Sequence, residues 1–264
     1  MNFLRVWAIF LRQYFLIRKS FQRVLGIFYW SALELFVWGA MTIYLDRVGQ
    51  TEFSFIALIL GAVILWNLLG RVQHGITVSF LEDVWTRNLI NLFASPLRVS
   101  EYMAGLLLTS FVEVVAAFLF LSGISRLLFA YNVFSFGWYL LPFVAVLFLF
   151  GWALGIFATA IILRLGPSSE ILAWSIPAFL SPLSGVTYPI ATLPPALQAI
   201  AALLPSSQVF EGMRALVLTG AFDAKSLAFA FVLSLLFLFL SYLFLLASYR
   251  NVLKKGLFVR FVTE

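Results

Sequence analysis

The side chains that could take part in chemistry lie far apart in a very apolar chain. Glu34 and Glu113 each fall within a long apolar stretch, and Asn67 is the main amide in another. Ionisable groups in such stretches are costly in lipid and are therefore candidates for function. Two isolated glutamates are fewer than an ion-coupled carrier usually needs. They either form hydrogen bonds between helices or line a path for a cationic or hydroxyl-bearing substrate.

Metal and nucleotide chemistry have little support in the sequence. His74 is the sole histidine and cysteine is absent, so neither HExxH nor CxxC occurs. Glu82 and Asp83 form the only adjacent acidic pair, which is thin support for a metal-dependent transferase. No G-x-x-x-x-G-K-[ST] motif is present to cradle nucleotide phosphates. We therefore expect no catalytic residue, metal or cofactor on this chain, and any ATP and magnesium to be bound by a partner.

The composition indicates that lipid is the solvent of most of the fold. Hydrophobic residues make up 63% of the 264 positions and charged residues 11%, with a mean hydropathy of +1.05. So few charged side chains cannot cover the surface of a soluble protein. The net charge is +6, and the basic residues lie at the ends of apolar runs. This placement favours membrane lipid, and not nucleic acid, as the surrounding partner.

Apolar runs of about 20 residues predict an all-α polytopic membrane protein with six transmembrane helices. Residues 1–24 combine five basic residues with large apolar ones, which predicts an amphipathic helix in the membrane interface. Residues 25–264 form the six-helix transmembrane domain. The predicted spans cover residues 25–45, 53–73, 102–122, 138–163, 171–188 and 226–249. In the fourth, Gly151 and Gly155 have the GxxxG spacing that permits close helix approach.

Two segments depart from a plain bundle of six helices. Residues 71–101 are long for a loop and carry apolar residues at helical spacing, which predicts a cytoplasmic helix. The stretch after the fifth span contains Pro189, Pro194 and Pro205 among apolar residues. Closely spaced prolines break helices, yet this stretch is too apolar for a free loop. We therefore expect a re-entrant helical hairpin in the outer leaflet, with its broken backbone buried in protein.

Three stretches resemble the permeases of type-2 ABC exporters, a family that includes drug, lipid and polysaccharide exporters. Residues 81–101 contain LEDVWTRNL and then SPL, and are similar to the family's cytoplasmic coupling segment. Residues 180–189, LSPLSGVTYP, resemble the end of its fifth span. Residues 204–214, Leu-Pro followed by Glu-Gly-Met-Arg, are similar to its outer re-entrant stretch. The order and spacing of these stretches carry the resemblance, which covers nearly the whole chain.

The resemblance implies a permease subunit of an ATP-driven exporter that moves an amphiphilic or hydrophobic drug, lipid or glycoconjugate out of the cytoplasm. It implies a multi-pass protein of the cell inner (plasma) membrane, docked on a cytoplasmic ABC ATPase subunit and on a second permease copy or close paralogue. Enzymatic activity is expected on the ATPase and not on this chain. Leu204 stands where polysaccharide exporters often carry asparagine, which favours the drug and lipid branch. An ion-coupled secondary carrier and a membrane-embedded transferase are the alternatives.

Three groups of residues are expected to carry the mechanism. The ATPase-coupling group, expected on one helix with an apolar face buried against the ATPase, comprises Glu82, Asp83, Trp85, Arg87, Leu89 and Phe93. The outer re-entrant gate comprises Pro189, Pro194, Pro205, Glu211 and Arg214. The possible translocation path comprises Glu34, Asn67 and Glu113. By resemblance, the N-terminal helix and the turn at 164–170 would face the ATPase together with the coupling group.

The distribution of basic residues predicts the orientation. With the N-terminus in the cytoplasm, most of the 17 lysines and arginines lie on cytoplasmic segments, as the positive-inside rule requires. The basic residues left outside are Arg47, Arg126, Arg214 and Lys225. We expect both termini and residues 71–101 to face the cytoplasm.

Single cysteines replacing Thr86 or Arg126 test this orientation. An impermeant maleimide applied to intact cells should label position 126 and spare position 86. The reverse labelling would overturn the topology.

Overall fold

The computed structural model describes residues 1–49 and 55–255, and within these ranges the regular structure is helical throughout. The α-helices are α1 (Phe3–Lys19), α2 (Phe21–Gly49), α3 (Phe55–Trp85), α4 (Leu89–Ala94), α5 (Val99–Phe129), α6 (Leu140–Leu165), α7 (Glu170–Leu183), α8 (Pro195–Ala202), α9 (Pro205–Thr219) and α10 (Ala224–Lys254). Short 3-10 helices lie at Val133–Tyr139, Pro167–Ser169 and Ile190–Thr192.

Five of these helices, α2, α3, α5, α6 and α10, are long and apolar enough to cross a membrane. They contain 26 to 31 residues. At about 1.5 Å per residue each exceeds the hydrocarbon core, which is about 30 Å thick. Helices α3 and α6 form the buried centre, while α2 and α10 are largely exposed at the periphery. The chain therefore has the architecture of a multi-pass α-helical membrane protein.

Helices α3 and α6 approach closely because α6 presents glycines to α3. A side chain at Gly151 would meet Val72 and the carbonyl oxygen of Leu69, and one at Gly155 would meet Ile76. Close backbone approach through small residues is a principal source of helix association in lipid. The GxxxG spacing thus marks the contact between the two central helices.

The helix that corresponds to the predicted span at 53–73 is longer than expected. Helix α3 continues to Trp85, so Arg71 and His74 lie in the same continuous helix as the rest of the candidate span Ala57–Trp85. Residues 71–85 therefore continue the helix of this span and do not begin a separate helix, whereas the cytoplasmic location of residues 71–101 stays a prediction. The predicted start of this span at residues 53 and 54 lies outside the described residues. So do residues 256–264, which end the predicted six-helix domain.

The predicted span at 171–188 corresponds to the shorter helix α7. Its 14 residues extend about 21 Å, less than the membrane core, and Pro177 and Pro182 lie inside it. Helix α7 ends at Leu183, and Gly185 then turns the chain with a φ of 62°. This helix is not among the five candidate spans. A sixth crossing by α7 therefore stays a prediction.

The N-terminal helix is shorter than the predicted 1–24 and is docked on the bundle. Helix α1 ends at Lys19, and the extended backbone of Ser20 separates it from α2. Residues 21–24 therefore begin the first long helix. Helix α1 packs on α5, where Ile9 lies against Gly105. Its position in a membrane interface stays a prediction.

Residues 82–93 do not form the single helix that was predicted. Helix α3 ends at Trp85, and the backbone N–H groups of Arg87 and Asn88 donate to the carbonyls of Val84 and Asp83, each at 2.9 Å. Arg87 adopts the left-handed conformation with a φ of 56°. These features define a Schellman helix end, where glycine is the usual residue. Because arginine occupies the position here, the break before α4 was not evident from residue type.

The prolines after α7 begin helices as well as interrupting the chain. Pro189 precedes the 3-10 turn Ile190–Thr192, Pro194 precedes α8, and Pro205 is the first residue of α9. Proline suits the first helical turn because the amides there lack partners within the helix. Helix α8 contacts α7 and α9, whereas α9 packs mainly on α10 and α6. That α8 and α9 form a hairpin that re-enters the outer leaflet stays a prediction.

Replacing Gly151 by alanine should destabilise the α3–α6 contact. The new methyl group would meet Val72, which is β-branched and has little rotamer freedom to move away. We expect a loss of about 1–3 kcal/mol, typical of overpacking. The measurement is the thermal unfolding midpoint in detergent. Gly123→Ala is the matched control, because Gly123 is an exposed glycine on α5 with open space around it. Equal midpoints for both variants would contradict the packing argument.

Candidate functional site

A cavity of about 390 Å³ lies between α2, α3, α5 and α7. Its lining includes all three residues predicted for the translocation path, Glu34 on α2, Asn67 on α3 and Glu113 on α5. The amide nitrogen of Asn67 donates to a carboxylate oxygen of Glu34 at 3.1 Å. The structure therefore brings residues from three helices into one site. Their role in transport stays a prediction.

Arg23, near the start of α2, connects four helices at one end of this cavity. Its guanidinium donates to Glu113 on α5 at 3.1 Å and also pairs with Glu82 on α3. It donates further to the hydroxyl of Ser79 at 2.7 Å and to the side-chain oxygen of Gln13 on α1 at 3.3 Å. Removing one partner of a buried ion pair costs about 3–5 kcal/mol, because a charge stays buried and unpaired. Arg23 is thus a major structural contact of the site.

Arg71 lies on the cavity wall in the middle of α3. It donates to the carbonyl oxygen of Gly26 at 2.5 Å and to the hydroxyl of Ser31 at 3.3 Å, both on α2. Among the residues that the structure describes, no carboxylate lies within ion-pair distance of Arg71. The nearby carboxylate of Glu113 is bound by Arg23. The charge of Arg71 is therefore less compensated than that of Arg23.

His74 lies one turn from Arg71 on the same face of α3. Its ring packs against Trp174 of α7, with 5.0 Å between ring centroids. The Nε2 atom is buried and has no hydrogen-bond partner within residues 1–49 and 55–255. A buried polar atom without a partner is uncommon and calls for an explanation.

Reasoning from sequence did not assign Arg23, Arg71 or His74 to this site. A signal was available, since Asn67, Arg71, His74 and Val78 follow the three- and four-residue spacing of one helix face. All four line the cavity. The pattern could be used only if α3 was known to continue beyond residue 73.

Aromatic and aliphatic side chains complete the cavity wall. Trp66, Ile27 and Pro177 line it together with Trp30 and Trp174. Trp30 is 64% exposed and Trp174 is 39% exposed. These two residues lie on α2 and α7, so the cavity opens between those helices toward the outside of the bundle. A cavity lined by charged and amide side chains on one side and by tryptophans on the other suits a ligand that has one polar and one apolar part.

The acidic residues of the predicted coupling group are paired within the chain. Asp83 is fully buried, forms an ion pair with Arg12 of α1 and accepts a hydrogen bond from the hydroxyl of Tyr102 at 2.7 Å. Glu82 pairs with Arg23. Burial lowers the pKa of Arg12, but the hydrogen bond and negative charge of Asp83 outweigh it and raise that pKa. These acids hold α1 and the start of α2 against the end of α3.

The apolar patch predicted from Trp85, Leu89 and Phe93 is only partly present. Trp85 is 53% exposed, whereas Leu89 is fully buried within the chain. Phe93 is half-buried and packs on Tyr102 and Tyr249, with ring centroids 5.6 and 5.2 Å away. The expectation of three exposed apolar residues was therefore wrong, because α4 folds back on α5 and α10. Trp85 is the large exposed aromatic that remains, beside the exposed Arg87 of the turn.

Trp85 also joins two segments that are distant in sequence. Its indole nitrogen donates to a carboxylate oxygen of Glu170, the first residue of α7, at 3.1 Å. Arg12 and Arg23 connect α1 and the start of α2 to the same end of α3. The N-terminal helix, the end of α3 and the turn at 164–170 therefore lie together at one end of the bundle.

Glu211 and Arg214 bind the segment between α7 and α8. They pair at 2.6 Å on one face of α9, as their spacing predicts. Arg214 is buried and donates to the carbonyl oxygens of Gly185 and Tyr188 at 2.7 and 3.0 Å. Glu211 accepts from the backbone N–H of Ile190 at 2.8 Å. The pair therefore fixes the proline-rich segment, while its function as an outer gate stays a prediction.

Comparisons with known proteins do not assign the chain to a family. No protein-family model matches it, and no curated protein matches it either. The fold and site define a broad class, a multi-pass α-helical membrane protein with a polar cavity beside its central helices. The likeness to type-2 ABC exporters rests on the three sequence stretches alone.

Replacing Arg214 by methionine should loosen the segment at 185–190. The carbonyls of Gly185 and Tyr188 would lose their donor, and each unsatisfied buried group costs about 1–3 kcal/mol. Hydrogen exchange of the backbone amides in this segment should become faster, because the segment would open more easily. Glu211→Gln, which keeps an oxygen acceptor for Ile190, should have a smaller effect.

Exchanging the two charges, Glu211→Arg with Arg214→Glu, separates the ion pair from the backbone contacts. A carboxylate at position 214 cannot donate to the two carbonyl oxygens, so protection should not return. Full recovery of protection in the doubly exchanged variant would mean that the ion pair alone fixes the segment.

Proposed function

We propose that this chain is the transmembrane permease subunit of an ATP-driven ABC exporter that moves an amphiphilic or hydrophobic substrate out of the cytoplasm. In this proposal α7 is the fifth of six spans, α1 lies in the interface and the α8–α9 hairpin re-enters the outer leaflet. The protein resides in the inner (plasma) membrane with both termini in the cytoplasm. A drug, a lipid or a glycoconjugate is the expected class of substrate.

The observation that supports this proposal best is the meeting of three segments at one end of the bundle. The resemblance assigns the N-terminal helix, the coupling group and the turn at 164–170 to the ATPase-facing side. The Arg12–Asp83 ion pair and the Trp85–Glu170 hydrogen bond connect these segments directly. A partner that binds there would contact all three at once.

Helix α3 offers a physical route from that end to the cavity. Trp85 and Arg71 lie 14 positions apart on one continuous helix, which corresponds to about 21 Å. A displacement applied near Trp85 would therefore move Arg71, His74 and Asn67 relative to α2. The cavity would change shape without any nucleotide chemistry on this chain. ATP and magnesium would be bound by the ATPase subunit.

The proposed assembly also contains a second permease copy, as a homodimer or with a close paralogue. Helix α2 carries a stripe of exposed apolar residues at helical spacing, Leu33, Val37, Met41 and Tyr44. This stripe is apolar surface for the second copy or for lipid.

An ion-coupled carrier is the competing function, and it differs in its energy source. Transport into proteoliposomes driven by an ion gradient without ATP would favour that alternative.

Trp85→Ala should weaken the association with the ATPase. A central aromatic residue at an interface typically contributes about 2 kcal/mol or more, which corresponds to roughly a 30-fold loss of affinity. The tagged chain is purified from its native membranes, the co-purifying P-loop protein is identified, and its ATP hydrolysis is measured with and without the permease. The chain alone should not hydrolyse ATP, and the complex should.

Two variants serve as controls for this experiment. Arg87→Ala removes an exposed charge in the adjacent turn and should have little effect. Trp138→Ala removes an 85% exposed tryptophan just before the start of α6, at the opposite end of the bundle. It should leave the association intact. Full ATPase binding and full transport by Trp85→Ala would exclude this segment from coupling. ATP hydrolysis by the purified chain alone would refute the division of labour.

A further inference from the structure

We propose that the cavity between α2, α3, α5 and α7 binds the anionic head group of an amphiphile, with Arg71 and His74 contacting the anion. The inference deepens the proposed function, on which it rests for the idea that this ligand is transported. Binding itself requires neither ATP nor a partner subunit. The ligand class is an oxyanion, such as a phosphate, sulfate or carboxylate, attached to an apolar tail.

The charged groups of the cavity lining are paired unequally. Glu113 is bound by Arg23, which also pairs with Glu82. Glu34 accepts the amide of Asn67. Arg71 donates only to a carbonyl and a hydroxyl of α2, through Nη2 and Nε, and its Nη1 group makes no hydrogen bond to the described residues. An anionic ligand would supply the missing partner.

The permanence of the arginine charge favours an anionic ligand over a cationic one. A carboxyl group such as that of the half-buried Glu34 can lose its charge by taking up a proton. The guanidinium of Arg71 cannot lose its charge in this way, because arginine stays protonated in proteins. A charged side chain within a membrane helix is costly and marks a functional site by default. Arg71 therefore has the greater need for a partner of opposite charge.

His74 provides a second, independent observation at the same place. Its buried Nε2 atom has no partner among the described residues, although the ring lines the cavity. Neutral imidazole can donate one hydrogen bond, and an oxyanion accepts several. The planar guanidinium of Arg71, three positions earlier, matches phosphate or carboxylate geometry. Because Nε2 is closed to solvent in this structure, the His74 ring has to turn for the two side chains to act as a donor set for one head group.

The walls of the cavity account for the apolar part of the ligand. Trp66 and Ile27 line it, and Trp30 and Trp174 flank the opening between α2 and α7. A head group at Arg71 would leave its tail directed along these side chains toward the outside of the bundle. A free anion would use the donors but not these apolar walls.

The test is a titration of the purified full-length chain, held in maltoside detergent, with dodecyl phosphate. Native mass spectrometry reports the bound fraction. Inorganic phosphate and dodecyltrimethylammonium are titrated in parallel, so that the head group and the tail are tested separately. We expect saturable binding of dodecyl phosphate at least tenfold tighter than of either comparison compound. Arg71→Gln should weaken it tenfold or more, and Arg71→Lys should weaken it less.

A cavity-filling variant guards against a folding defect in the arginine variants. A side chain at Gly70, which lines the cavity, would meet no atom within 4 Å at its Cβ position. Gly70→Leu should therefore fold, fill the cavity and abolish binding. Gly123→Leu places the same side chain on the exposed face of α5 and should bind normally. Arg126→Gln controls for the loss of one positive charge elsewhere.

Three results would overturn the inference. The first is unchanged dodecyl phosphate binding in both Arg71→Gln and Gly70→Leu. The second is tighter binding of dodecyltrimethylammonium that is lost in Glu34→Gln, which would mark a cation site. The third is equal binding of inorganic phosphate, which would mark a site for free anions. These results do not depend on the ATPase experiment. The two experiments therefore distinguish failure of the anion site from failure of the exporter proposal.

Discussion

The pairing of Arg23 with Glu82 and Glu113 is the interaction on which the arrangement of the N-terminal half depends. Two carboxylates on different helices of an apolar bundle need a shared cation, and Arg23 reaches both. Arg12 with Asp83 and Arg5 with Glu101 repeat this pattern along α1. The N-terminal segment thereby neutralises acids of α3 and α5, because buried carboxylates without such partners would be strongly destabilising. A segment expected to lie in the membrane interface is thus an integral part of the bundle.

The same pairing shapes the cavity. With Glu113 bound by Arg23, and Glu34 bound to the amide of Asn67, Arg71 keeps only neutral oxygens of α2 as partners. Which polar groups of the cavity are free to bind a ligand therefore depends on which arginine pairs with which carboxylate. Net charge would not reveal this, since the lining contains Arg23 and Arg71 as well as Glu34 and Glu113.

The sequence predicted the long apolar helices well, because spanning lipid requires about 20 apolar residues and such runs are visible without tertiary information. It failed where polar residues are matched by distant partners. Arg71 and His74 were assigned to a segment that follows a span ending at residue 73, although α3 continues to Trp85. The helix end at Arg87 was not visible, because its left-handed conformation normally favours glycine. The grouping of the cavity residues required the pairing of helices, which a single sequence does not contain.

Packing limits how the cavity can change shape. Helix α3 contacts α6 at Gly151 and Gly155, where there is no room for a Cβ atom, so sliding would bring larger side chains into this close contact. Motion that begins at the Trp85 end would therefore carry α3 and α6 together with the start of α2, which Arg23 ties to Glu82, while the rest of α2 is peripheral. The hydrogen bond from Arg71 to the carbonyl oxygen of Gly26 crosses the boundary between α2 and this central pair. An anion that competes for the Arg71 guanidinium would weaken that bond, so ligand binding and the separation of α2 from α3 would favour each other.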